Sequence, residues 1–428
     1  MKTHLNNIAK ALLIVILVHS GLLLKAQFTL QAELRPRAEY RHGFKALVPA
    51  DAKPAFQISQ RTRINAGYTF QKLKFGISVQ DIRLWGETPQ LTAVSNRFMT
   101  HQVWAEIGFT TNISLKIGRQ ELVYDDARIF GNVDWAQQAR THDIALLKYE
   151  KKFSLHAGFA FNQQFDQLLT TEYGLTNNYK TMQFIWFNKH IQNINLSLLF
   201  LNNGMEFNFA ENNEENFKTV FSQTFGTHLN YKTNYFSYYG NAYFSTGKDG
   251  EDRDLAAYNF MLGVDYKSNK RFGFGVGWEI LSGTSQKETN NSKYTNKSFN
   301  PLYGTNHKFN GHMDYFYVGN HLNSVGLSDI FFQVNYKHKK LSAQVTSHFF
   351  SSANEILDKT QPNVVMSNYL GNEYDISVNY KINEIAFLTA GYSQMFGTKT
   401  LQTLKGGDYS KTNNWAYVML TLKPIFIP

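Results

Sequence analysis

The chain has no cysteine, which excludes a disulfide framework, thiol catalysis and thiolate-bound metal. Proline is scarce, at eight residues, so little interrupts extended backbone. After residue 26 no stretch approaches the roughly 18 apolar residues of a membrane helix. No Gly-x-Ser-x-Gly, His-Glu-x-x-His, P-loop or dinucleotide fingerprint is present, so the common nucleophilic, zinc and nucleotide chemistries have no signature here. Arginine nearly vanishes from the second two thirds of the chain, where only Arg253 and Arg271 occur.

Aromatic residues are abundant, with 35 Phe and 24 Tyr, a composition that favours strands. A length of 428 residues suits two or three ordinary domains or one large barrel. The N-terminus reads as a secretory signal: Lys2 and Lys10 precede an apolar run at 11–18, and Ala26 is a cleavage position before Gln27. The alternative, an anchoring helix, is disfavoured because the run is short and His19, Ser20 and Gly21 interrupt it. Loss of Lys2, Lys10 and Lys25 lowers the net charge from +10 to +7, a moderate excess that suits polyanionic partners.

Beyond residue 26 the chain alternates amphipathic runs with polar segments of two lengths. The predicted strands are 28–41, 57–70, 73–84, 98–110, 113–121, 142–150, 153–163, 180–188 and 192–202. They continue with 220–231, 235–246, 255–267, 271–283, 327–338, 341–350, 372–382, 385–396 and 413–423. Eight tight turns join hairpins, at 71–72, 111–112, 151–152, 189–193, 232–234, 268–270, 339–340 and 383–384. Nine longer polar stretches separate them, at 42–56, 85–97, 122–141, 164–179, 203–219, 247–254, 284–326, 351–371 and 397–412. This pattern predicts an all-β fold: a transmembrane antiparallel β-barrel of about 18 strands, with short periplasmic turns and long extracellular loops. Residues 1–26 are the expected signal peptide and 27–428 the barrel. A barrel of this size is wide enough for an aqueous channel. Phe426 supplies a near-terminal aromatic, although Pro428 follows it.

The arginines have a phase. In the first strand Glu33, Arg35, Arg37, Glu39 and Arg41 share one face, opposite Ala32, Leu34, Pro36, Ala38 and Tyr40. In the second, Arg61 and Arg63 oppose Thr62 and Ile64. In the fourth, Gln102, Trp104 and Glu106 oppose Val103, Ala105 and Ile107. An arginine facing lipid at mid-membrane costs roughly 2–4 kcal/mol, so the charged face must point to the lumen. A register with Arg35 near Arg63 and Arg37 near Arg61 would set like charges across strands. Two readings of the stripe stand side by side. One is a salt-bridge ladder in which Glu33, Glu39, Asp81 and Glu106 neutralise the arginines. The other is a track for anions, since the guanidinium fork suits carboxylate. Broken alternation near Gln80 and Asp81 predicts a bulge there. Trp104 is the aromatic placed to stack on a sugar.

The segment 118–143 is dense in hydrogen-bonding side chains. Its Gly118, Arg119, Gln120, Asp126, Arg128, Asp134, Trp135, Arg140 and Asp143, the 35–39 run, the 60–63 run and the patch 303–311 resemble the alginate-export family of outer-membrane barrels. The strong matches cover 31–143 and 300–314; elsewhere only the strand rhythm agrees. The resemblance implies an 18-strand barrel with a positively charged constriction that passes a polyuronate outward by passive diffusion. The pore-lining residues expected are Arg35, Arg37, Arg61, Arg63, Glu33, Glu39, Trp104, Glu106, Arg119, Asp126, Arg128 and Arg140. Loop 122–141 is expected to fold inward and narrow the pore, and 303–314 to be a packed loop. The alternative function is a general or anion-selective porin whose arginine ladder is structural. Expected partners are an anionic saccharide, outer-membrane lipid and periplasmic export components; nucleic acid, cofactor and metal are not expected. His312 with Asp314, and His321 near Ser324, read as chance neighbours among 13 histidines, and no enzymatic activity is expected. Asn291 and Asn296 read as unglycosylated in a bacterial setting.

Overall fold

Residues that alternate apolar and polar are stable as strands only where one face meets an apolar medium. In the computed structural model they do so in a single closed sheet. The structure describes residues 27–428 except 92–96, 176–177, 212–213, 269–270, 291–292 and 362. The proposed signal peptide 1–26, part of the 268–270 turn and Asn291 therefore lie outside the described residues.

The strands are β1 (Gln27–His42), β2 (Ala55–Phe70), β3 (Leu73–Leu84), β4 (Phe98–Gly108), β5 (Ile113–Gln120) and β6 (His142–Glu150). Next come β7 (Ser154–Phe161), β8 (Thr181–Ile191), β9 (Ile194–Glu211), β10 (Glu214–Lys232), β11 (Phe236–Lys248) and β12 (Asp254–Lys267). Then follow β13 (Phe272–Leu281), β14 (Leu327–His338), β15 (Leu341–Ser351), β16 (Tyr369–Lys381), β17 (Ala386–Gly397) and β18 (Asn413–Leu422). Each pairs antiparallel with its neighbour, and β1 closes the barrel on β18 through Arg37↔Met419 and Glu39↔Tyr417. A short β19 (Ile425–Ile427) continues beside the start of β1.

All eighteen predicted strands are present within a few residues. Three expectations change. At its described residues the stretch 203–219 is not a loop: 203–211 extend β9 and 214–219 begin β10, with Met205 facing Val220 and Phe207 facing Lys218. Its Asn and Glu residues read as loop, but the extension keeps its ladder hydrogen bonds. Residues 399–405, also read as loop, form a helix α1 (Lys399–Lys405) whose Thr398 side chain caps the Leu401 amide. The bulge lies between Ser78 and Val79 in the β3–β4 pairing, leaving His101 without a partner in the register, slightly before the position predicted.

Large apolar side chains point outward and remain exposed, among them Phe56, Ile64, Leu147, Ile185 and Phe332. Near the short turns Tyr231, Phe236, Tyr238, Tyr266 and Phe272 form an exposed aromatic girdle. Its rings touch, with centroids 5.9 Å apart for Tyr231–Tyr238 and 5.3 Å for Phe236–Tyr266. Such a belt is what a bilayer interface selects. Among the described residues no helix is long and apolar enough to cross a membrane; the strands present the apolar surface instead.

Candidate functional site

The interior face of β1 and β2 carries Glu33, Arg35, Arg37, Glu39, Arg61 and Arg63, all buried. The register differs from the one expected. Arg35 faces Arg61, Glu33 faces Arg63, Arg37 faces Ser59 and Glu39 faces Gln57. Only one like-charged pair lies directly across, and the acids flank it. Arg61 donates to Glu33 from Nε at 2.9 Å, and Arg37 donates to Glu39 at 2.6 Å. Arg41 reaches the other Glu39 oxygen at 2.6 Å. Arg63 donates to the Gln80 side-chain oxygen at 2.7 Å. Thus Glu33 and Glu39 act in a ladder, as one reading supposed. Asp81 serves Arg83 at 2.6 Å, whereas Glu106 serves no arginine: it pairs with Lys148 at 2.6 Å.

The acids of the wall do not match its cations. Five arginines on the inner face of β1 and β2 meet two glutamates. The missing acceptors come from loop 121–141, which crosses the lumen. Arg35 donates to the Asp134 carboxylate at 3.2 Å and to the Gln137 side chain at 3.1 Å. Arg61 reaches the second Asp134 oxygen at 2.9 Å. Arg37 donates to the Trp135 carbonyl at 2.7 Å, and its guanidinium lies 4.2 Å from that indole's centre. Burial pushes the Asp134 carboxyl up, but the charges of Arg61, Arg35 and Arg63 outweigh it and hold the group below its ordinary value.

The first half of the loop docks on other strands. Tyr124 hydrogen-bonds His156 at 2.9 Å, and Asp125 accepts from Ser197 and from Trp186 Nε1. Asp126 accepts from Asn241 at 3.1 Å, and Arg128 pairs with Glu279 on β13. Asp126 and Arg128 do not pair through their side chains: besides Asn241, Asp126 accepts the Arg128 amide, at 3.0 Å.

A second loop segment, 301–316, lies against the first, also inside. Thr305 donates its amide to the Ala127 carbonyl, and Gly131 to that of Tyr303, each at 2.9 Å. The Trp135 and His307 rings stack at 4.4 Å. Gly304 permits this contact, since a Cβ there would lie 2.2 Å from the Arg128 carbonyl oxygen. Gly304→Val is expected to separate the loops and to speed hydrogen exchange at the Gly131 and Thr305 amides by roughly tenfold or more.

The structure also gathers an acidic arc that the sequence reading missed. Glu279, Asp329, Glu373 and Asp375 are almost fully buried on the inner faces of β13, β14 and β16. Asn310 donates to Glu279 at 2.9 Å, the Met313 amide to Glu373 at 2.7 Å and His348 meets Asp329 at 2.9 Å. Inward phase in the later strands was the available signal.

The remaining predicted residues are dispersed. Trp104 faces inward, but the Lys116 ammonium lies 3.8 Å from its ring centre, so that face is occupied. Arg119 shares the phase of outward Ile117 and pairs with exposed Asp143 at 2.7 Å, away from the ladder. Arg140 donates to the Gly304 carbonyl at 3.1 Å and borders two cavities. One, of about 650 Å³, is lined by Arg37, Arg41, Lys45 and His307. The other, of about 560 Å³, is lined by Asn203, Ser222, Thr224 and Tyr303. His312 lies 3.9 Å from Asp375, while Asp314 pairs with His307 at 2.8 Å. His321 contacts the Gly326 carbonyl. Among the described residues no group of histidines and acids is placed to hold a metal ion.

A closed barrel with a lipid-facing belt and charged loops inside defines an outer-membrane channel protein. The chain belongs to the Alginate export family, whose sequence pattern matches residues 26–413. Solved structures with the same fold include Acinetobacter baumannii OccAB4, at 12% identity and TM-score 0.62, covering 94% of this chain and 98% of that one. Pseudomonas aeruginosa OccK1 (OpdK) is similar at 10% identity and TM-score 0.61, covering 93% and 99%. Pseudomonas aeruginosa OccK9 (OpdG) is similar at 12% identity and TM-score 0.60, covering 93% and 98%. No curated protein sequence matches the chain. Family and fold are those of channels rather than enzymes.

Proposed function

We propose that this barrel passes an anionic saccharide of the polyuronate type across the outer membrane by passive diffusion. One observation carries the reading: three guanidinium groups, of Arg35, Arg61 and Arg63, converge within 4.0 Å on a single carboxylate inside the barrel. A wall built to hold one carboxylate in this way suits successive carboxylates of a polymer, each bound weakly enough to move on. Arg37, Glu33 and Glu39 extend that wall, and Arg140 and Arg128 belong to the loops that narrow the path. Periplasmic export components would supply the polymer, since no nucleotide motif offers energy.

The second reading is a porin for small solutes, with the ladder structural; the Glu33–Arg61 and Glu39–Arg37 pairs favour it. Current block separates the two. Polyuronates are expected to block single-channel current at far lower concentration than neutral glucans of equal length. Equal block by both would sink the polyuronate reading. Residues 1–26 are proposed as a cleaved signal, and N-terminal sequencing of the membrane-extracted protein is expected to begin at Gln27.

A further inference from the structure

The loop inside the barrel offers the arginine wall the same group that the proposed substrate would. Asp134 sets one oxygen 3.2 Å from Arg35 Nη1 and the other 2.9 Å from Arg61 Nη2 and 4.0 Å from Arg63 Nη1. Its side chain is 45% exposed, whereas those of the three arginines are at most 8% exposed. The carboxylate therefore covers the cations and is itself open to displacement.

The flanking residues add neutral oxygens. Arg37 donates to the Trp135 carbonyl at 2.7 Å, Arg61 to that of Gln137 at 3.3 Å and Gln80 to that of Gln138 at 2.9 Å. One carboxylate followed by a row of uncharged acceptors reproduces the chemistry of a uronate and its hydroxyls. Undocking this segment without a replacement would strip buried guanidinium groups of acceptors, which is costly. A ligand bearing its own carboxylates removes that cost.

The segment is also bounded on both sides by strained backbone. Val133 and Ala139 bracket it at φ 51° and 56°, a left-handed conformation that a β-branched or alanyl residue avoids. The preceding half of the loop is fixed elsewhere, by Arg128 on Glu279 and Tyr124 on His156.

We infer that residues 134–138 are an internal surrogate of the substrate, a latch whose Asp134 occupies the carboxylate site until an incoming anionic saccharide displaces it. This rests on the polyuronate reading. It makes opening depend on ligand, because only a ligand with differential affinity for the undocked state shifts the equilibrium.

The test is single-channel recording in planar bilayers with trigalacturonate as probe, using barrels whose folding is verified by heat-dependent gel mobility. Wild type is expected to conduct weakly, to gain conductance severalfold as low trigalacturonate displaces the latch, and to show the polyuronate block only in the channel so opened. Asp134→Asn is expected to conduct at the raised level without ligand and then to show only block. A second arm uses Ser59→Cys with Gln137→Cys, positions whose native side chains hydrogen-bond at 3.0 Å. A short bifunctional thiol reagent is specific here because the chain has no other thiol. The bridged protein is expected to stay at low conductance with trigalacturonate present, and the unbridged one to respond as wild type. The latch is overturned if Asp134→Asn matches wild type with and without ligand, or if the bridged channel still opens. An Asp134→Asn channel that opens but lacks anion preference and trigalacturonate block upholds the latch and removes the substrate reading instead.

Discussion

Replacing Arg61 and Arg63 together by alanine is expected to abolish the anion preference of the open channel. The inner face of β1 and β2 holds five arginines against Glu33 and Glu39, and the loop adds Asp134. Removing two of the five arginines leaves Arg35, Arg37 and Arg41 facing Glu33, Glu39 and Asp134, so the excess of arginine over these acids disappears. On the proposed reading, that excess sets which ion enters, because screening in the lumen is weak. The anion-to-cation permeability ratio, read from reversal potentials in a salt gradient, is expected to fall by roughly an order of magnitude. The barrel itself should persist, because Glu33 keeps Lys423 at 3.2 Å. Lysine at both positions should restore small-anion preference but not tight polyuronate block, because the ammonium lacks the bidentate fork. An unchanged ratio in the alanine variant would make the ladder purely structural.

Cutting the other attachment of the loop should have the largest effect on its docking. Arg128 and Glu279 are both almost fully buried, and Arg128 has no second carboxylate partner among the described residues. Removing one member of such a pair strands the other charge, at a cost of roughly 3–5 kcal/mol. Glu279→Ala is therefore expected to release loop 121–141. Trypsin reads the release: wild type should resist cleavage after Arg128 and Arg140, and the variant should be cut while its barrel remains folded. Glu279→Gln, which keeps the shape and one acceptor, should be intermediate.

Much of this architecture was legible in residue order because the signals are local. Period-two alternation and the length of each run depend on neighbours one or two residues away, and lipid on one side enforces the pattern. The phase of Arg35, Arg37, Arg61 and Arg63 followed for the same reason. The β9–β10 extension was missed because its polar composition resembles a loop, while ladder hydrogen bonds hold it as strand. Glu279, Asp329, Glu373 and Asp375 gave no cluster in sequence, since they lie on three different strands and become neighbours only in the closed wall.

By itself the sequence determined a membrane barrel of eighteen strands, with the arginines of its first two strands turned from lipid, since transfer energy at each alternate position decides both. Tertiary structure alone decided what those arginines touch beyond Glu33 and Glu39. Asp134 and Gln137 meet Arg35 across about a hundred residues of chain. That meeting depends on Arg128 finding Glu279, on Gly304 admitting the Arg128 carbonyl and on a strand register shifted by two residues from the expected one. Such contacts are long-range and mutually dependent: each charge is stable in its burial only when the others are already in place.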